Sequence, residues 1–164
     1  YYQQQISEVM FNLLDSHDTE RILWTANENV QLVKSALAFS FNKKEHRAFI
    51  TERASLTGGP DPDCRRCMPW ERVSSDNDML NFMKRLIKIR KYASVIISHG
   101  KYSLQEIKSD LVALEWKYEG RILKAIFNQS TEDYLLEKEA VALASNCQEL
   151  ENQLVISPDG FVIF

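Results

Sequence analysis

Asp61, Asp63, Cys64, Arg65, Arg66, Cys67 and Trp70 crowd into the stretch Thr57-Gly-Gly-Pro-Asp-Pro-Asp-Cys-Arg-Arg-Cys-Met-Pro-Trp70. Three of the chain's four prolines and two of its five glycines lie in the same stretch. Proline fixes φ and removes a backbone donor, and glycine admits positive φ, so this run forms neither helix nor central strand. It is a shaped loop. Carboxylates, guanidinium groups and an indole on a stiff loop describe a ligand rim rather than a linker. Cys64 and Cys67 have CxxC spacing, which invites two other chemistries. A zinc site needs about four ligands, and only Cys147 and the scattered His17, His46 and His99 remain. A thioredoxin-like pair opens a helix after a strand, whereas this pair sits among prolines. No metal and no cofactor are therefore expected. A second polar group, Asp15-Ser-His-Asp18, follows a short apolar run from Val9 to Leu14. By residue type alone, His17 and Asp18 are a surface His beside a loop Asp.

The elements that must position these groups follow from periodicity. Residues 9–14 read as a buried strand running into the Asp15–Asp18 loop. Val30, Val33, Leu37 and Phe41, with Leu32, Ala36 and Phe39, recur at helical spacing, so 29–41 is an amphipathic helix. A second helix spans about 77–91, with Met79, Phe82, Met83, Leu86 and Ile87 on one face. Ser75 or Asp76 suits its start, and Lys88, Arg90 and Lys91 suit the negative end of its dipole. After about residue 94 the period changes to two. Val112, Leu114, Trp116 and Tyr118 alternate with Leu111, Ala113, Glu115 and Lys117. Glu119-Gly120 makes a turn, and 121–128 is the return strand. His99-Gly-Lys-Tyr102 reads as a turn entering a strand, and Ser157-Pro-Asp-Gly160 as a turn between strands 153–156 and 161–164. Trp116 and Tyr118 suit a core better than a ligand-stacking platform, and Trp70 likewise. Residues 95–164 thus form an all-β unit of six to eight short strands.

The chain has 164 residues, of which 45% are hydrophobic and 26% charged, as in ordinary globular proteins. A formal net charge of -3 gives no electrostatic reason to expect nucleic acid. No apolar run of about 18 residues exists, so no membrane partner is expected. Three cysteines cannot all pair, which points to a reducing, cytoplasmic setting. The start, Tyr1-Tyr-Gln-Gln-Gln, lacks both a Met and the pattern of a signal peptide, as expected of a fragment or a processed chain.

Two motifs in order carry a resemblance. The loop at 57–70 is similar to the segment after the last barrel strand in the α-amylase superfamily, in the neopullulanase, cyclomaltodextrinase and maltogenic amylase group. Phe11-Asn-Leu-Leu-Asp-Ser-His-Asp-Thr-Glu-Arg21 resembles that family's fourth signature region, where a strand ends in His-Asp. The resemblance covers essentially the whole chain but only about the last third of a complete enzyme. It implies an α+β architecture in two parts. Residues 1–93 would be the end of a catalytic (β/α)8 barrel, from its seventh strand through its eighth helix. Residues 94–164 would be an antiparallel Greek-key β-sandwich, the family's domain C. It further implies that Asp18 is the carboxylate that stabilises the transition state by gripping sugar hydroxyls, with His17 binding the same sugar. Asp61 and Arg65 would contact neighbouring sugars, a role that coexists with simply stapling the loop. An Arg fork suits vicinal hydroxyls or a carboxylate. The ligand implied is a maltooligosaccharide or cyclodextrin.

The same resemblance marks what is missing. Retaining glycosidases need a nucleophile and an acid flanking the scissile bond, and the family's pair lies on earlier barrel strands. This chain alone is therefore expected to be inactive. Where relatives carry a strand of the type Lys-Gly-Thr-Pro-Cys-Ile-Tyr-Tyr-Gly-Thr-Glu, residues 43–53 read Lys-Lys-Glu-His-Arg-Ala-Phe-Ile-Thr-Glu-Arg. A shifted reading frame of one encodes the other, so two compensating frameshifts around residues 42–55 are the hypothesis, and sequencing the gene tests it. Burying that many charges unpaired is costly, so the segment is expected at the surface as a loop or short helix, with the eighth strand absent. Val33, Leu37, Phe82, Met83 and Leu86, which barrel strands would cover, are expected to pack on the sandwich or on a second copy, as a homodimer. Two alternatives to a hydrolase portion stay open: a noncatalytic module that binds glucan or a partner, and a nonfunctional remnant.

Overall fold

A computed structural model describes residues 11–16, 18–42, 46–48, 59–65, 70, 74, 76–108 and 110–164. His17, Cys67 and most of the segment that departs from the family pattern lie outside them. Strand β1 (Phe11–Leu13) leads to a single helical turn, α1 (Ile22–Thr25), then to helix α2 (Val30–Phe41) and strand β2 (His46–Ala48). β1 and β2 pair in parallel, Phe11 opposite His46 and Leu13 opposite Ala48. A parallel pair needs a long crossover, and α2 supplies it.

This corrects an expectation. The backbone of 46–48 is a strand beside β1, where a loop or short helix was expected. The reason is that a ladder is made by backbone N–H and C=O groups, and those of charged residues pair as well as any.

Helices α3 (Asp78–Tyr92) and α4 (Ser94–His99) follow. α2 and α3 start alike: the Asn29 side chain accepts from Leu32 N, and Asn77 from Leu80 N. The N-cap of α3 is thus Asn77, one residue past the expected Asp76, while Ser75 lies outside the described residues. Arg90 and Lys91 occupy its last turn as expected. The stretch 94–99, read as the start of the all-β unit, is a short helix ending at Gly100. A Cβ at Gly100 would lie 2.2 Å from the Ile96 carbonyl oxygen, which leaves room only for glycine.

Six antiparallel strands make one curled sheet: β3 (Lys101–Lys108), β4 (Leu111–Tyr118), β5 (Arg121–Asn128), β6 (Tyr134–Glu137), β7 (Leu143–Glu149) and β8 (Gln153–Ile163). β3, β4 and β5 form a meander. β5 then pairs with β8 instead of β6, and this non-sequential return gives the sandwich its Greek-key character. The β4–β5 turn falls at Glu119-Gly120, both at positive φ. The expected turn at 157–160 does not separate two strands. β8 runs through it, bent, with Asp159 at φ 59. Before the bend β8 pairs with β6 and after it with β5, while β7 follows it on both sides with a register shift. A bulge of this kind re-aims a strand without ending it.

Strand alternation gives the sheet two buried faces. Leu114, Trp116, Leu123, Phe127, Phe161 and Ile163 face the helices. Leu111, Ala113, Ile126, Leu154, Ile156 and Val162 fill the inside of the curl. Val33, Leu37, Phe82, Met83 and Leu86 are all buried in the first cluster, so the helix faces that barrel strands would cover pack on the sandwich. The Phe127 and Phe161 rings stack at 5.7 Å, with Phe39 edge-on to Phe127 and Phe82 edge-on to Phe161. Trp116 is core, its Nε1 donating to the Asn42 carbonyl at 2.7 Å. The other end of α2 is latched as well: Asn29 Nδ2 donates to Asp159, and Ser145 Oγ to Gln31, each at 2.7 Å. Lys34 reaches Asp78 at 2.7 Å and ties α2 to α3.

Candidate functional site

β1 hands the chain to a tight turn that presents Asp18. Ser16 N donates to Thr19 Oγ1 at 2.8 Å, Thr19 N to Ser16 O at 3.3 Å, and Asp18 N to Ser16 Oγ at 3.2 Å. Hydroxyls that bond nearby backbone in this way replace helix or strand pairing and fix the turn. Asp15 is buried, and its carboxylate accepts from Ile22 N at 3.1 Å, satisfying one of the donors left over where α1 begins. Sequence reading passed over Asp15. Its signal was an acidic residue at a strand end with a helix start close behind.

The second arm is the loop from Gly59. Asp63 N donates to Pro60 O at 2.9 Å, and Arg65 N to Pro62 O at 3.0 Å, around a cis Asp61–Pro62 bond and a 3-10 turn at Asp63–Arg65. Among the described residues of this loop, Cys64 is buried. Trp70 is 73% exposed, against the expectation of a core position.

The arms meet at Arg65. Its Nη2 lies 2.9 Å from Asp18 Oδ1, and its Nε 3.1 Å from Asp61 Oδ1. Three of the four residues expected at the site are thereby brought together, and the fourth, His17, lies outside the described residues. The clasp borders an open cleft of about 550 Å³, lined also by Leu14, Asp15, Glu20 and Pro60. The three clasp side chains are 54–66% exposed. Ion pairs in that setting contribute about 0–1 kcal/mol, so the surrounding backbone, not the pairs, sets the geometry. A planar guanidinium between two carboxylates offers donors and acceptors side by side, which is the pattern that vicinal hydroxyls match. Among the described residues, no group of three His, Cys, Asp or Glu side chains is placed to hold a metal ion.

No family model matches the chain. Over 129 residues it is 38% identical to the intracellular maltogenic amylase of Bacillus subtilis (strain 168), which covers 77% of this chain and 22% of that protein. Over 169 residues it is 30% identical to the cyclomaltodextrinase of Thermoanaerobacter pseudethanolicus, covering 99% of this chain and 29% of the relative. A solved cyclomaltodextrinase superposes with a TM-score of 0.74 at 27% identity, over 99% of this chain and 30% of that one. The chain thus spans less than a third of the length of these relatives.

Proposed function

This chain belongs to the α-amylase family, as its C-terminal part, and from that premise we propose that it is the C-terminal portion of an α-glucan-acting glycoside hydrolase. Residues 1–93 are then the end of the catalytic barrel and 94–164 its β-sandwich. In this reading Asp18 grips hydroxyls of the sugar at the cleavage point, His17 bonds the same sugar, and Asp61 and Arg65 hold the adjoining units. The nucleophile and the acid that break the bond come from barrel strands outside these 164 residues. This portion therefore supplies substrate grip and, alone, turns nothing over. The relatives, an intracellular maltogenic amylase and a cyclomaltodextrinase, support maltooligosaccharides or cyclodextrins as ligands and an intracellular setting.

The observation that carries the reading is Arg65 bridging Asp18 and Asp61 at the edge of the cleft. Titration with β-cyclodextrin and maltotriose, followed by NMR, tests it. Saturable shifts at residues 59–65 that vanish in Arg65→Ala are expected. No shifts at millimolar sugar would overturn the reading and leave a folded remnant.

A further inference from the structure

Trp24 is not among the residues that line the cleft, yet it lies against the loop that carries two of the three clasp residues. A Cβ built at Gly59 would sit 3.1, 3.2 and 3.4 Å from the Trp24 ring atoms Cε2, Cζ2 and Cδ2. At such distances a Cβ would be tight and the indole would have to give by a few tenths of an ångström, so the backbone at Gly59 lies close against the indole. Gly59 is buried, although Pro60 and Asp61 beside it are exposed. The loop is pinned at this residue.

Trp24 belongs to α1, a single helical turn. The start of α1 is held by the Asp15 carboxylate through Ile22 N. Its Ile22 and Leu23 pack against the main core. One helical turn therefore touches both arms of the clasp. Asp15 stands three residues before Asp18, and Gly59 two residues before Asp61. The ion pairs themselves are too exposed to set this spacing. We propose that Trp24 is a positioning residue: its indole sets the height of the 59–65 loop and so the reach of Arg65 to Asp18. This deepens the glucan-binding reading and rests on it for the effect on sugar, whereas the pinning of the loop stands on the contact alone.

The test is a double-mutant cycle of Trp24→Ala and Gly59→Ala in the whole chain, with Trp24→Phe as the conservative control. It is read by hydrogen exchange at the Asp63 and Arg65 amides and by affinity for β-cyclodextrin. Trp24→Ala should speed exchange at both amides and weaken binding by about tenfold, since a loop that is not held in place must be ordered when sugar binds. Trp24→Phe should restore most of both. Gly59→Ala should do harm when Trp24 is present and add little in Trp24→Ala. Unchanged exchange in Trp24→Ala overturns the proposal, and so does equal harm from Gly59→Ala in both backgrounds. Weaker binding with unchanged exchange also overturns it, because Trp24 would then be acting on the sugar directly. If the parent chain binds no sugar while Trp24→Ala still speeds exchange, the glucan-binding reading fails and the pin stands.

Discussion

The clasp and the sandwich are built on opposite terms. At the clasp, Arg65 and its two aspartates are more than half exposed, and each arm is shaped by a few short-range backbone bonds. In the sandwich, Phe127, Phe161, Leu143 and Ile163 are essentially sealed from water and belong to one continuous cluster. A polar group is enclosed there too. Asn128 is fully buried, donates to the carbonyls of Glu132 and Ile156 at 2.8 Å each, and accepts from Ser130 N and Oγ. Stability and the proposed recognition are thus separated. The burial that holds the molecule together lies away from the clasp, so Asp18, Asp61 and Arg65 keep their hydrogen-bonding capacity toward solvent.

The widest gap between the two regions should appear on truncating an aromatic ring. Phe161→Ala should cost about 3–5 kcal/mol of folding stability, whereas Arg65→Ala should cost under about 1 kcal/mol while removing sugar binding. Chemical denaturation of both variants measures this. Comparable losses would mean that the clasp is part of the cooperative core after all. Next in size is Asn128→Ala, expected to cost about 2–3 kcal/mol, because it strands buried carbonyls and the Ser130 donor. A loss as small as that of Arg65→Ala would show that the sandwich tolerates unpaired groups and would blur the contrast.

The smallest effect concerns pH. Burial raises the Cys147 thiol to about 11, and the thiol donates to the Ser145 and Phe161 carbonyls. A folded value above the unfolded one favours the protonated form in the folded state. That stabilisation is complete below about pH 9 and is lost as pH rises toward 11. Stability should fall across that window and fall less in Cys147→Ser. A pH-independent difference between the two would assign the effect to packing instead.

Much of this was legible in the residues. The period of 29–41 and of 77–91 marked both long helices, because one face of each had to be apolar to be buried. The alternation of 111–118 and the Glu119-Gly120 turn marked the central hairpin for the matching reason. Proline and glycine announced the 59–65 loop, and the Asp18, Asp61 and Arg65 side chains could be named before any coordinates, through the resemblance of their two motifs. Less legible were the features that depend on a partner far along the chain. The bend in β8 read as a turn because Pro158, Asp159 and Gly160 are turn residues, and only pairing with β7, β6 and β5 shows the strand continuing. The segment 46–48 read as a loop or short helix because of its charges, yet ladders are made by backbone. Trp70 read as core by residue type and is exposed.

Local pattern, then, determined the elements and the kinds of side chain at the rim, since propensity, capping and periodicity act within a few residues. Tertiary structure decided where those elements meet: that the helices cover the sheet's outer face, that Arg65 reaches both Asp18 and Asp61, and that Gly59 rests on Trp24. Each of these is a contact between segments separated by loops, and such contacts are set by the mutual packing of surfaces that no local stretch contains.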